Sequence, residues 1–167
     1  MKETITYGEE IESHPIDIVE KYVSSQDWSY DRQSDNEIVV QAPGQWCDFN
    51  MFFAWNSDLA AIHFTCAFDM RVPSEKRSVV HDLLAVVNEK LWLGYFSLWR
   101  EENLPMFRHV LLVRDTDGPS LGQIAEIIDT ALGECDRFYP AFQYVIWGGK
   151  SASDAIEMAM VDTVGEA

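Results

Sequence analysis

Two long stretches of alternating apolar and polar residues constrain the fold of this chain more than any other feature. They cover residues 47–55 and 59–71, and the short segment Asn56-Ser57-Asp58 separates them. Successive side chains of a strand point to opposite faces, so an apolar residue at every second position predicts a strand with one buried face. The apolar positions are Phe49, Met51, Phe53 and Trp55 in the first stretch, and Ile62, Phe64, Cys66, Phe68 and Met70 in the second. A turn this short joins antiparallel strands.

The rest of the chain alternates between helical and strand patterns. Apolar residues at helical spacing predict three helices, at 15–25, 74–92 and 120–139. Alternating patterns predict four further strands, at 28–32, 37–41, 95–100 and 106–114. We expect Ser74 to be the N-cap of the second helix and Gly94 to end it. Tight turns between consecutive strands indicate an α+β fold, in which helices pack on an antiparallel sheet.

Length and charge limit the domain count and the class of partner. The chain of 167 residues is 47% hydrophobic, which predicts a globular core. We expect a flexible acidic segment at 1–13 and a single domain at 14–167. The formal net charge is −16 and no cluster of Lys and Arg offsets it, so we expect binding to neither nucleic acid nor anionic membranes.

The start of the chain and its cysteines predict a cytoplasmic protein. Acidic and polar residues follow Lys2 where a signal peptide needs an apolar core, and the apolar run 91–99 is half the length of a membrane span. Cys47, Cys66 and Cys135 are odd in number and lack the Cys-x-x-Cys spacing, which favours small buried residues in a reducing compartment.

The segment Gly148-Gly149-Lys150-Ser151 lies between an apolar run and a helix that we expect Ser153 to cap, the order found in phosphate-binding loops. Its spacing does not fit, because Tyr144 occupies the position of the first glycine of such a loop. We therefore interpret residues 147–150 as a hinge that docks a short C-terminal helix. The apolar stripe of that helix is Ala155, Ile156, Ala159 and Met160.

Other apparent motifs favour structural roles as well. Asp115, Asp117 and Glu126 mimic parts of a calcium loop, but Ser120 replaces the glycine that the loop requires. The four histidines, at positions 14, 63, 81 and 109, form no metal-binding pair by spacing. No cysteine or serine has the context of an activated nucleophile. We therefore predict no catalytic residue, no cofactor and no metal site.

The second helix provides the one signal that points to an interface. Its apolar residues cover an arc of about 160°, whereas one sheet face needs about 100°. These residues are Val79, Val80, Leu83, Leu84, Val86, Val87 and Leu91. A broad seat on a twisted sheet would account for the arc, but we favour a second subunit that contacts Val80, Leu84 and Leu91.

Three segments give the chain a resemblance to a known family. They are the turn and strand at 91–99, the strand at 106–113, and Trp147-Gly148-Gly149-Lys150 with its helix and the final residues 165–167. The chain resembles the YbjN-domain family of bacterial sensory transduction regulators over residues 15–165. This resemblance implies the fold of class I type III secretion chaperones, with the order helix, three strands, helix, two strands, helix, and it implies a dimer. It brings no catalytic or ligand residues.

These observations together predict a homodimeric regulator or adaptor that binds a protein or peptide partner and is not an enzyme. Exposed strand edges and an aromatic-rich sheet suit the capture of an extended peptide, and the negative charge favours basic partners. Two alternatives remain open. One is a small-molecule sensor or enzyme with a pocket between sheet and helices, and the other is a secretion chaperone.

Overall fold

A computed structural model describes residues 14–165, with side chains to residue 161. The predicted segment 1–13 lies outside the described residues. The elements are α1 Pro15–Ser25, β1 Ser29–Ser34, β2 Glu37–Pro43, β3 Asp48–Asn56, β4 Ala61–Ala67, a 3₁₀ turn Ser74–Lys76, α2 Arg77–Asn88, β5 Tyr95–Trp99, β6 Leu104–Leu112, α3 Leu121–Ile146 and α4 Ala152–Gly165. The α+β fold is as predicted, and β1 is an addition to the three strands of the chaperone-like pattern.

The six strands form one antiparallel sheet in the order β1-β2-β3-β4-β6-β5. The alternation in β3 and β4 has the predicted effect, because one face of both strands is buried under the helices. Phenylalanine rings fill the space between sheet and helices. Phe142 of α3, for example, meets Phe68 and Phe96 at centroid distances of 5.2 and 5.9 Å. The opposite face of the sheet carries no described helix.

α3 continues past the predicted end at Tyr139 and runs through Pro140 to Ile146. Proline has no N–H to bond the carbonyl four residues earlier, which here belongs to Asp136. The loop between β2 and β3 supplies the missing partner. Trp46 Nε1–H donates to the Asp136 carbonyl at 3.0 Å, and the Gln45 N–H donates to Asp136 Oδ1 at 2.8 Å. A tertiary contact thus overrides the local helix-ending signal.

Two predicted helix caps differ in the structure. Ser74 begins a 3₁₀ turn without a side-chain cap, and the α-helix starts only at Arg77. Ser151, rather than Ser153, caps α4, because its Oγ accepts the Asp154 N–H at 3.2 Å. Ser120 does cap α3, in a capping box with Gln123. Two serines near the start of α4 fit the same sequence signature, so the signature alone does not identify the cap.

Candidate functional site

The residues predicted to meet a second subunit lie on α2 or just beyond it. Val80 and Leu84 are buried by the chain itself, and Leu91 is half-buried. α3 and α4 both pack against α2, so the wide apolar arc is covered within one chain. The structure therefore corrects the premise of this interface, because no second subunit is needed to explain the arc. The homodimer itself stays a prediction.

The Gly-Gly-Lys segment reverses the chain between α3 and α4. Gly149 has a φ of +65°, which favours glycine, and the Lys150 N–H donates to the Tyr144 carbonyl at 3.0 Å. The Lys150 side chain is exposed, whereas Ala155 and Ala159 of α4 are fully buried against α2 and α3. This geometry agrees with the interpretation of the segment as a hinge that docks the last helix.

The four histidines do not converge. His14 Nδ1 accepts the Ile16 N–H at 3.2 Å and caps α1, and His81 is exposed on α2. His63 and His109 lie on opposite faces of the sheet, on β4 and β6. Burial lowers the pKa of both, and the neighbouring Arg108 guanidinium lowers that of His63 further. Both imidazoles are therefore neutral at pH 7.

The cysteines come together from three elements. Cys66 of β4 and Cys135 of α3 are buried with their Sγ atoms 3.8 Å apart, and Cys47 in the β2–β3 loop is half-buried. Burial raises the pKa of the Cys135 thiol well above its usual value, with further contributions from Cys66. Burial also raises the pKa of the Cys47 thiol, so Cys47 and Cys135 are protonated at neutral pH, which is the state of structural cysteines rather than of nucleophiles.

The end of β6 is the most distinctive exposed feature of the sheet. β5 pairs with β6 only as far as Tyr95 opposite Arg108, whereas β6 continues to Leu112. Gly94, which the sequence analysis placed at the end of a helix, instead directs the chain away from β6 with a φ of +69°. Residues 109–112 therefore have β4 on one side and no strand among the described residues on the other.

Backbone hydrogen bonds show which residues point to this open side. The Phe68 N–H donates to the Pro105 carbonyl and the Val113 N–H donates to the Ala60 carbonyl, both at 2.9 Å. Odd-numbered residues of β6 thus direct their backbone groups to β4. Because the two sides alternate along a strand, the N–H and C=O groups of Val110 and Leu112 point to the open edge. No described residue bonds to these four groups.

Apolar side chains flank the open edge on both faces of the sheet. On the side without helices, Val110 and Leu112 are 44% and 70% exposed. On the helix side, a groove of about 190 Å³ runs between β6 and α3. Its lining combines apolar and polar residues: Leu93, Phe107, His109, Leu111, Gln123, Glu126, Ile127 and Thr130. An added strand would therefore find contacts for both of its own faces.

The outer edges of the sheet are protected in different ways. At β5, the Asn88 carboxamide accepts the Phe96 N–H at 2.7 Å and donates to the Phe96 carbonyl at 3.0 Å, as a neighbouring strand would. At β1, the strand is polar, and the Arg32 guanidinium covers the carbonyls of Ser34 and Asp35. Charged or occupied edges resist strand addition. The open part of β6 has neither protection.

The sequence predicted strands of six and nine residues for the second hairpin, at 95–100 and 106–114, but not the register that leaves the end of the longer strand unpaired. The structure pairs a five-residue β5 with a nine-residue β6. Two turn residues, Gly94 and Asn103, could have indicated this register. With a hairpin turn at Asn103, only the residues between Gly94 and that turn can pair with β6. The register of β5 on β6, rather than the composition of either strand, determines which residues of β6 stay unpaired.

Across residues 14–161, whose side chains are described, no three His, Cys, Asp or Glu side chains are arranged to bind a metal ion. None of the described helices combines the length and the apolar character that a membrane span requires.

Comparisons with known proteins agree with this architecture. The family described as "Putative bacterial sensory transduction regulator", YbjN, matches residues 15–144. A crystal structure of YbjN from E. coli, described as a putative transcription regulator, has a similar fold with a TM-score of 0.52 and 11% sequence identity. The similarity covers 72% of this chain and 85% of the other, and at this identity it shows the fold alone. No curated protein matches the sequence. Since the family pattern spans most of the chain, from α1 into the last turn of α3, the chain belongs to the YbjN family.

Proposed function

We propose that this protein is a non-catalytic cytoplasmic regulator that binds an extended segment of a protein partner at the open edge of β6. The observation that carries the proposal is the pair of residues Val110 and Leu112, whose backbone groups have no partner among the described residues. A regulatory role agrees with the description of the family.

Strand addition would use both the backbone and the flanking side chains. Val110 and Leu112 together offer two donors and two acceptors, and each backbone hydrogen bond contributes about 0.5–1.5 kcal/mol net. Such a short edge binds weakly alone, so apolar contacts must supply the remaining free energy. The partner's alternate side chains would enter the groove beside Ile127 and Leu93 on one face, and contact Leu112 on the other.

Charge gives the partner segment a further property. The net charge of −16 attracts basic groups over a range set by the salt concentration, and Glu126 lies in the groove itself. We therefore expect the segment to alternate apolar residues with polar ones and to carry Lys or Arg near its ends.

A proline at position 110 tests the proposal. Val110→Pro removes an N–H that points away from β4, so the internal ladder is retained, but it blocks the pairing of an added strand. Val110→Thr is the matched control, since it retains both the N–H and the β-branched shape. Each variant is used as bait in an affinity purification from the native cell, with quantitative mass spectrometry of the bound proteins.

We expect one partner to be retained by wild type and by Val110→Thr and to be lost by a folded Val110→Pro. With that partner's segment added as a peptide, hydrogen exchange at the amides of Val110 and Leu112 should slow. A folded Val110→Pro that retains every partner of wild type would rule out the edge as the binding site.

The homodimer remains part of the proposal, but with a different basis. Val80 and Leu84 are buried within the chain, so the exposed apolar residues around the β6 edge are better placed to meet a second copy. An antiparallel pairing of two such edges would be isologous, as a two-fold dimer requires, and a partner segment would displace the second copy from the edge. Light scattering tests it: wild type should be dimeric and Val110→Pro monomeric, whereas a wild-type monomer at high micromolar concentration contradicts it.

The alternative of a sensor or enzyme with a pocket between sheet and helices has less support. The groove beside α3 measures about 190 Å³ and is open along the strand edge, which suits an extended segment better than an enclosed small molecule. Secretion chaperoning would use the same edge, with a secreted protein as the partner.

A further inference from the structure

A second concave region lies on the face of the sheet that has no described helix. Cross-strand pairing places Phe52, Thr65, Arg108 and Tyr95 in one transverse row over β3, β4, β6 and β5. Beside this row the ring of Trp99 meets that of Phe52, with centroids 6.1 Å apart and planes at 84°. The two rings come from β3 and β5, which are not neighbours, so they meet above the intervening strands β4 and β6.

A basin of about 270 Å³ beside these two rings is lined by Phe52, Thr65, Trp99, Met106 and Arg108. Met106 and Thr65 are only 8% and 9% exposed, although no helix among the described residues covers this face. The floor is thus largely shielded from water by the side chains around it. A hydrogen bond or ion pair is stronger in such a setting than on an open surface.

Arg108 is the only charged group in this lining. Among the described residues no carboxylate lies within ion-pair distance of it; its guanidinium contacts His63 Nε2 and lies 6.0 Å from the centre of the Tyr95 ring. Its Nε is buried and has no hydrogen-bond partner in the described part of the chain. A buried donor without a partner carries a desolvation cost that a bound acceptor would remove.

Two further features favour the binding of an anion at the Arg108 guanidinium. His63 is neutral at pH 7 and accepts a hydrogen bond from Arg108, so the pair carries a single positive charge. Thr65 lines the same basin, and its hydroxyl has no hydrogen-bond partner among the described residues. A guanidinium and a hydroxyl on paired residues, beside two aromatic rings, match the two oxygens of a carboxylate attached to a flat apolar body.

We propose that this basin binds a small organic monocarboxylate with a flat, apolar body. The carboxylate accepts hydrogen bonds from Arg108 and Thr65, and the body lies against Phe52 and Trp99. One negative charge is preferred over two, because a single arginine must balance it within a protein of net charge −16. The basin is separate from the β6 edge, so the proposal does not depend on the proposed function.

The test compares two probes of the same shape by NMR titration of the ¹⁵N-labelled full chain. One is 1-naphthylacetate, and the other is its neutral amide, 1-naphthylacetamide. We expect the acid to cause saturable shifts in the Arg108 Nε–H signal and in the Thr65 amide signal. The amide should bind at least about tenfold more weakly, since a hydrogen bond to a charged group is worth about 1.5–3 kcal/mol.

Matched variants assign the effect to the basin. Arg108→Gln should abolish saturable binding of the acid, and Thr65→Val, which keeps the shape of the side chain, should weaken it severalfold. Arg71→Gln removes the same charge from an exposed arginine outside the basin and should leave the affinity unchanged. If Arg108→Gln does not fold, Thr65→Val and the acid–amide pair still decide the question.

Three results of the titration with the small probes would overturn the proposal. They are equal affinity for acid and amide, acid binding unaltered in a folded Arg108→Gln, and shifts at signals outside the basin alone. Binding of an acidic peptide at Arg108 without binding of the small acid would also overturn it, because the basin would then be a protein contact.

Discussion

Neighbouring residues of β6 differ in what their backbone groups contact, and this difference can be measured. The N–H of Leu111 lies on the β4 side, whereas those of Val110 and Leu112 lie on the open edge. In protein diluted until it is monomeric, we expect the amides of Val110 and Leu112 to exchange hydrogen at close to the unprotected rate and that of Leu111 to exchange many times more slowly. Residue-resolved exchange by NMR checks this. Equal protection along 109–112 in the monomer would mean that another part of the chain covers the edge.

Trp46 has a role that its exposure conceals, because its indole N–H satisfies the Asp136 carbonyl that Pro140 leaves unpaired. Trp46→Phe keeps the aromatic body and removes the donor. We expect the free energy of unfolding in urea to fall by about 1–2 kcal/mol. Trp92→Phe is the control, since Trp92 is fully exposed and its replacement should change the free energy by less than about 0.5 kcal/mol.

At the scale of elements, the docking of α4 accounts for what looked like an interface on α2. Ala155, Ile156 and Ala159 of α4 are buried, and they complete the core beside Val80 and Leu84. Truncation after Gly149 should therefore expose apolar surface on α2 and α3. We expect a loss of several kcal/mol of stability, seen in urea unfolding, or insoluble protein.

Lys150→Ala is the control for that truncation, because the Lys150 side chain is exposed and its backbone bond to Tyr144 is unaffected. Its free energy of unfolding should stay within about 0.5 kcal/mol of wild type. If Lys150→Ala abolished activity in the cell while the fold stayed intact, the hinge interpretation would be wrong and an anion-binding role would have to be considered again.

A comparison of the elements shows how much of the fold could be predicted from the sequence. Periodicity located every helix and strand described by the structure, because a buried face imposes its period on the sequence. Periodicity failed where a contact between distant parts of the chain determines the structure. At Pro140 the helix continues because Trp46, which lies 94 residues earlier in the chain, replaces the missing hydrogen bond. Periodicity also did not predict the open edge of β6 or the basin around Arg108. Both depend on strand register, which places Thr65 opposite Arg108 and ends β5 at Tyr95.

For the whole molecule, two histidines link stability to pH. The pKa values of His63 and His109 are lowered in the folded chain, first by burial and, for His63, also by Arg108. The unfolded state therefore binds more protons as the pH falls below about 6.5, so stability should decrease in that direction and level off below the folded pKa values.

The double variant His63→Gln, His109→Gln isolates this effect from the titration of the many carboxylates. Urea midpoints at pH 7.0 and 5.5 should fall more for wild type than for the double variant, since all other titrating groups are shared. An equal change in both proteins would mean that neither imidazole resists protonation in the folded state.

The unprotected edge of β6 also has a consequence for how molecules of this protein behave in solution. An open strand edge flanked by Val110 and Leu112 is a template on which further chains can pair. Mutual repulsion between molecules of net charge −16 opposes such contacts, but ions shorten its range to about 10 Å at 0.1 M salt. The surplus of carboxylates thus provides colloidal protection that the sheet itself lacks, and concentrated salt, usually a harmless additive, would weaken it.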